Sequence, residues 1–225
     1  MSRPLNFNLL ARPYRSLEYL TFGKTLERCR SYFLPALTKA QSAIVFGDGD
    51  GRFLAQLLKA NPDLTADVVD ISSAMLNLLQ KRLTPEERSR ITPHCTDARQ
   101  FPIPAKTYDL VVTHFFLDCL SESEISALIQ SIKPYFSPNT LWVLSEFSIP
   151  QGRMNARIGK LIISLLYKAF WLFTGMQQQT LPDHAAALNA AGFILAEQQP
   201  LLGGLLISQI WQAQNNVTTR AIMER

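Results

Sequence analysis

Gly47-Asp48-Gly49-Asp50-Gly51 stands directly behind the apolar run Ala43-Ile44-Val45-Phe46 and opens a stretch that reads as helix. Glycines let a backbone turn at positive φ and let a ligand approach with no Cβ in the way. A loop that brings a pyrophosphate to a helix N-terminus reads G-x-G-x-x-G. This one reads G-x-G-x-G with two acids inside it, which would repel a pyrophosphate and suit a ligand that carries positive charge. Asp70 follows Gly51 by 19 positions and ends the next apolar run. An acid at that place can accept from both hydroxyls of a ribose, or can cap a helix ahead of Ser72. Asp97-Ala98-Arg99 comes after a third run, where an acid can take the amino group of an adenine or simply close a surface turn. The segment Tyr108 to Leu120 carries a strand that ends at Thr113-His114. That places His114, Phe115 and Asp118 at the carboxyl edge of a sheet, where open α/β folds bind ligands. Phe115 and Phe116 can present ring faces to a cation, worth about 0.5–2 kcal/mol, or pack in the core. His114 is the candidate general base, since imidazole titrates near neutrality; the alternative is that it only lines the pocket.

These residues need a scaffold, and the rest of the pattern supplies one. Strands are expected at 43–46, 66–70, 91–95, 108–113 and 141–144, with helices at 51–60, 72–83 and 121–133. The last of these opens on Ser121 and Glu124, an S-x-x-E cap. Strand and helix alternating at this spacing predict a parallel sheet covered on both faces. The end of the chain breaks the alternation. A helix over 183–191 stops at Gly192, and Phe193–Ala196 and Leu205–Trp211 flank Pro200 and the Gly203-Gly204 pair, a closing hairpin. A helix is expected over 14–38, and an amphipathic one within 151–176. In the latter, Ile158, Leu161, Ile162, Leu165, Ala169, Leu172 and Phe173 follow i, i+3, i+4, i+7 spacing, with Lys160, Ser164, Tyr167 and Lys168 on the other side.

The four signals, in this order, resemble the class I S-adenosylmethionine-dependent methyltransferases, over residues 42–148 and again in the closing hairpin. The resemblance implies an α/β, Rossmann-like seven-stranded mixed sheet with an antiparallel C-terminal strand and helices on both faces. It implies S-adenosylmethionine as cofactor, with Gly47, Gly49 and Gly51 beside its methionine part, Asp70 on the ribose and Asp97 near the adenine. The expected cofactor-lining set is completed by Asp48, Asp50, Ile71, Met75, Ala98, His114 and Phe115. One departure stands out: the family carries an acid two residues before the first glycine, where this chain has Val45. Asp48 or Asp50 is expected to take over part of that role. The outer segments are similar to those of the subgroup that methylates quinones, lipids and other small apolar acceptors. On that likeness, residues 1–40 form an N-terminal helical lid, Tyr14, Tyr19 and Asp118 line the substrate pocket, and 151–176 lies over it within a single domain spanning 1–225.

Composition narrows the partners. Seven Lys/Arg face two Asp/Glu in residues 1–40, nine face thirteen in 41–150, four face none in 151–182, and two face three in 183–225. Basic segments therefore flank an acidic middle, either to attract an anionic substrate or surface or merely as solvated faces. The apolar run in 151–176 is too short for a membrane span; a cover over the pocket, a packing helix and a contact with a membrane surface remain alternatives. Cys29, Cys95 and Cys119 form no C-x-x-C, which fits a reducing compartment and no metal site. His94 and His184 have no evident partner. With no secretory signal visible, the expectation is a cytoplasmic protein, with peripheral contact to a membrane as the alternative, that acts on a small-molecule acceptor; nucleic acid is disfavoured because the insert is apolar. Oligomeric state is not legible. The alternatives are an aminopropyltransferase of the spermidine synthase type, which shares a G-D-G loop but has an acid-rich stretch where this chain reads Thr113–Asp118, and a catalytically inactive cofactor-binding partner.

Overall fold

The central strands are apolar on both sides. In the computed structural model, which describes residues 22–174 and 180–214 (backbone alone at 169–174), β1 (Ser42–Phe46) sends Ala43 and Val45 to one face and Ile44 and Phe46 to the other. Such a strand must be covered twice. On one face lie Phe53, Leu54, Leu57 and Leu58 of α2 (Arg52–Ala60) and Leu76 and Leu79 of α3 (Ser73–Arg82). On the other lie Ile125, Leu128, Ile129 and Ile132 of α5 (Glu122–Ile132) and Leu188 of α7 (His184–Ala190). The remaining strands are β2 (Thr65–Asp70), β3 (Ile91–Cys95), β4 (Tyr108–His114), β5 (Phe136–Phe147), β6 (Phe193–Leu201) and β7 (Leu206–Ala213). They form one seven-stranded sheet in the order β3-β2-β1-β4-β5-β7-β6. All neighbours are parallel except around β7, which runs against both β5 and β6. The Rossmann-like mixed sheet with its reversed C-terminal strand is thus as expected.

Register fixes what meets at the carboxyl edge. Val45 lies beside Val68 and Val112, and His114 beside Ser145. The chain therefore leaves β1 at Gly47, β2 at Asp70, β4 at His114 and β5 just past Glu146 along one rim. Ser121 and Glu124 form the expected capping box. A second box, Thr84 with Glu87, starts α4 (Pro85–Ser89), a helix the sequence reading passed over.

Two expectations need correction. The single helix over 14–38 is, within the described residues, a short α1 (Thr25–Ser31) and a 3₁₀ turn (Leu34–Leu37). Gly23 at φ 57° precedes the first, and Pro35 sits in the first turn of the second, so neither continues into its neighbour. The insert is a helix, α6 (Arg153–Thr174), but its inner side is not the expected one. Ile163 and Tyr167 pack with Leu26, Cys29, Phe147, Leu205 and Leu206, while Ile158, Leu161 and Leu165 face outward. Gly159 decides the face: a Cβ there would sit 2.5 Å from Cδ of Pro150, so only a glycine lets the helix seat on this side. Among the described residues no helix is long and apolar enough to cross a membrane.

Candidate functional site

The turn after β1 is held from within. Gly47, Gly49 and Gly51 all have positive φ (64°, 62° and 76°), a region L side chains enter only with strain. Packing adds a second reason at two of them: a Cβ on Gly47 would meet Phe116 at 2.5 Å, and one on Gly51 would meet Leu79 at 2.3 Å and its Cα at 2.9 Å. The two acids of the loop part company. Asp50 accepts from Arg52 Nε and Arg82 Nη2, both at 2.9 Å, and is occupied by them. Asp48 is buried; its Oδ2 accepts the Leu54 N–H at the start of α2 (3.1 Å), while Oδ1 has no partner. Burial pushes the Asp48 carboxyl up to about 7, against the Leu54 N–H and the nearby Arg30 cation.

Asp70 at the tip of β2 accepts the Ser72 N–H at 2.8 Å, and the Gly49 N–H also reaches it, which ties loop to strand. Burial raises it to about 6. The helix cap is Ser72 itself, whose Oγ accepts from the Met75 N–H. Met75 is buried behind the rim and Ile71 is exposed on it. Asp97 caps the 3₁₀ turn Ala98–Gln100, accepting the Arg99 N–H, and pairs with the Arg99 guanidinium, which lowers its pKa. Arg99 also holds Glu124 at 2.8 Å.

At the end of β4, His114 is buried with its ring edge-on to Phe53, centroids 4.3 Å apart. Neither ring nitrogen has a partner. Burial, aided by the Arg30 charge, lowers its pKa well below the imidazole value, so the ring is neutral. Phe115 follows at φ 53°, a strained backbone for a non-glycine residue. Its N–H donates to Ser145 O at 2.7 Å, and the Arg30 guanidinium stands over its ring at 5.0 Å.

Asp118 opens a second cluster that the sequence did not reveal in full. Glu146, at the end of β5, accepts the N–H groups of Phe116 and Leu117 through Oε1 (3.2 and 2.9 Å). Its Oε2 is buried without a partner. The Cys119 thiol donates to Asp118 at 3.6 Å. Burial and the neighbouring Asp118 charge push Glu146 well above the carboxylate range, and burial raises Asp118 to about 6. The Tyr167 hydroxyl of α6 faces both acids, is buried and has no partner. The Asp70 charge reaches Cys119, so the two clusters lie close together along the rim. Arg30, Glu146 and Tyr167 were missed. Glu146 did leave a signal, as an acid within the apolar run of a central strand. Tyr14 and Tyr19 lie outside the described residues. His94 and His184 do have partners: His94 binds Asp67 at 2.8 Å, beside Tyr108 and Lys106, and His184 meets Gln209 at 3.2 Å. Among the described residues no His, Cys, Asp and Glu are grouped to hold a metal.

Comparison with known proteins bears on the fold that carries these residues. The uncharacterized methyltransferase YdaC of Bacillus subtilis is 32% identical over 77 residues, 34% of this chain and 41% of that protein. Polyamine aminopropyltransferase 2 of Bacillus cereus is 32% identical over 131 residues, 46% of this chain and 35% of the relative. The chain thus spans less than half the length of either curated relative. An O-methyltransferase family protein from Burkholderia thailandensis superposes with a TM-score of 0.67 at 18% identity, over 96% of this chain and 65% of that one. The N-methyltransferase NodS of Bradyrhizobium japonicum, solved with S-adenosyl-L-homocysteine, gives 0.59 at 17% identity, over 84% and 87%. Residues 44–139, from β1 into β5, match the methyltransferase domain family model. Over that stretch, and on a sheet of this order, the chain is similar to the class I S-adenosylmethionine-dependent methyltransferases.

Proposed function

We propose that the chain transfers a methyl group from S-adenosylmethionine to a small acceptor that carries an N–H or O–H. The observation that carries this reading is the buried, unpartnered Oδ1 of Asp48 inside the three-glycine turn. A buried carboxylate oxygen without a partner is costly, and a bound cation would offset that cost. When bound, the cofactor supplies an electrophilic methyl on a positively charged sulfur. Asp48 would hold its cationic methionine end in place of the family acid absent at Val45, and Asp70 would accept from the ribose. Ile71, Met75, Asp97 and Ala98 would flank the adenine, and His114 and Phe115 would close the floor.

The acceptor would lie against Asp118, Glu146 and Tyr167, under α6. Two buried carboxyls that repel each other hold a proton between them near neutrality. The ionised member is then a base that can take the acceptor's proton, leaving the lone pair to form the new bond to carbon. His114 is the poorer base, because burial resists its protonation. The main contribution of the chain is to position the reactants and exclude water. Calorimetry with S-adenosylmethionine and S-adenosylhomocysteine tests the reading. Both should bind, and Asp70→Ala should lose most of the affinity; heat from neither would end it, and binding without turnover of any amine, phenol or quinol would mark a cofactor-binding partner instead. The acid pair, with the match to a polyamine aminopropyltransferase, favours one second reading, aminopropyl transfer to an amine. Turnover with the decarboxylated cofactor and not with the intact one would select it.

A further inference from the structure

α6 buries one side and leaves a second apolar side open. Met154, Ile158, Leu161 and Leu165 are 75%, 53%, 62% and 57% exposed. At 3.6 residues per turn their side chains fall within an arc of about 60°, opposite Gly159, Ile163 and Tyr167, which face the body of the protein. Ile149, just ahead of the helix, is exposed as well. A stripe of four large apolar side chains in water is not what a helix that merely packs on a domain presents. The charges beside it are all of one sign. Arg157 and Lys168 border the stripe, Arg153 and Lys160 stand one step further round, all four are exposed, and residues 147–182 contain no Asp or Glu.

We infer that this face of α6 docks on an anionic membrane surface, lying in the interface plane with Met154, Ile158, Leu161 and Leu165 among the acyl chains and the basic residues at the headgroups. An interfacial helix has this division, an apolar stripe edged by Lys and Arg. A second copy of the chain fits the face poorly. A two-fold contact centred on the stripe would set Arg157 against Lys168 of the copy, and the segment has no acid to receive either. The inference goes beyond methyl transfer and does not depend on it.

Co-sedimentation of the full chain with vesicles tests it. Vesicles of phosphatidylcholine and phosphatidylglycerol in equal parts should bind, pure phosphatidylcholine should bind at least about tenfold less, and added salt should release the protein. The double variant Leu161→Asp/Leu165→Asp should lose binding about tenfold or more, as should Arg157→Glu/Lys168→Glu. All four side chains are exposed, so unfolding temperature should hold; where a variant does unfold, the lipid and salt series on the unaltered protein decides. Equal binding to both vesicle types, or no binding to either, overturns the inference. So does self-association that the leucine variants abolish while vesicles stay unbound, which would assign the stripe to a second copy. Calorimetry with S-adenosylhomocysteine on the same sample reads the methyltransferase assignment separately.

Discussion

The two clusters on the rim, one at each end, are both acidic, but they are acidic in different ways. At the cofactor end, Asp48 and Asp70 are fixed by backbone N–H groups of their own neighbourhood, and the Arg30 cation stands close to Asp48. At the acceptor end, Asp118, Glu146 and Tyr167 come from three elements, and the Asp118 charge bears on both Glu146 and Tyr167. The first end holds single carboxylates suited to gripping a cation. The second holds a pair that cannot both ionise, which suits it to moving a proton. The proposed function assigns those two tasks to the two ends.

The largest expected effect breaks the acceptor end alone. Asp118→Asn keeps an acceptor oxygen for the Cys119 thiol but removes the member of the pair that ionises near neutrality, the base. Turnover should fall about 10²–10⁴-fold, the range for a lost acid–base group, while S-adenosylhomocysteine binds as before. The remaining rate should also lose its dependence on pH around the range where Asp118 titrates, about 6. If cofactor affinity falls with turnover, the two ends are not separable and the comparison fails.

The matching change at the other end is Asp48→Asn. Cofactor affinity should drop about 10–100-fold, since one partly screened charge contact to a cation is lost. Stability should move the opposite way. Asp48, Asp70 and Asp118 take up protons at higher pH in the folded chain than when unfolded, so the folded state binds more protons between about pH 4 and 7 and stability falls as pH rises through that window. Asparagine at 48 removes one contribution, and the variant should be more stable than the parent above pH 7 by about 1–3 kcal/mol. Thermal unfolding across pH, without ligand, reads this directly. A variant no more stable at pH 8 than its parent would mean that Asp48 is not the burdened acid.

Substitutions at the loop glycines separate ligand from scaffold. Gly51→Ala meets the Leu79 backbone as well as its side chain, at positive φ, and should destabilise by about 2–4 kcal/mol. Gly47→Ala meets side-chain atoms of Phe116 (Cδ2, Cγ and Cβ) and no backbone atom among its nearest neighbours, and should cost less, about 1–2 kcal/mol. Denaturant midpoints rank the two, and the reverse order would show that the ring of Phe116 is the more rigid neighbour.

How far each end could be read from the chain follows from how it is assembled. The turn, Asp70 and Asp97 each lie at the end of a strand whose apolar run is plain, so their places follow from local pattern alone. The closing hairpin was legible as a break in the strand–helix alternation, and the reversed C-terminal strand followed from the family resemblance. Glu146 and Tyr167 meet Asp118 only through pairing of β5 with β4 and the seating of α6, which no spacing announces. The face of α6 was misread because the helix is apolar on both sides. Periodicity finds the richer stripe, whereas Gly159 against Pro150 chooses the buried one. Asp50 was one of two candidates for the cationic contact, yet Arg52 and Arg82, 32 positions on, occupy it.

The smallest effect sharpens the cofactor end. Asp97 was read from position as an adenine contact, yet its carboxylate already binds Arg99 and caps a turn. The pair is partly exposed, and such pairs contribute about 0.2–1 kcal/mol. Asp97→Asn keeps the cap and an acceptor oxygen while giving up the ion pair. It should therefore lower stability by no more than about 0.5–1 kcal/mol and cofactor affinity by only about threefold, as a neutral acceptor still faces the amino group. A loss matching that of Asp48→Asn, with the fold intact, would mean the ligand draws Asp97 away from Arg99 and uses its charge. In that case the adenine side of the rim is as electrostatic as the methionine side, and the contrast lies between donor and acceptor alone.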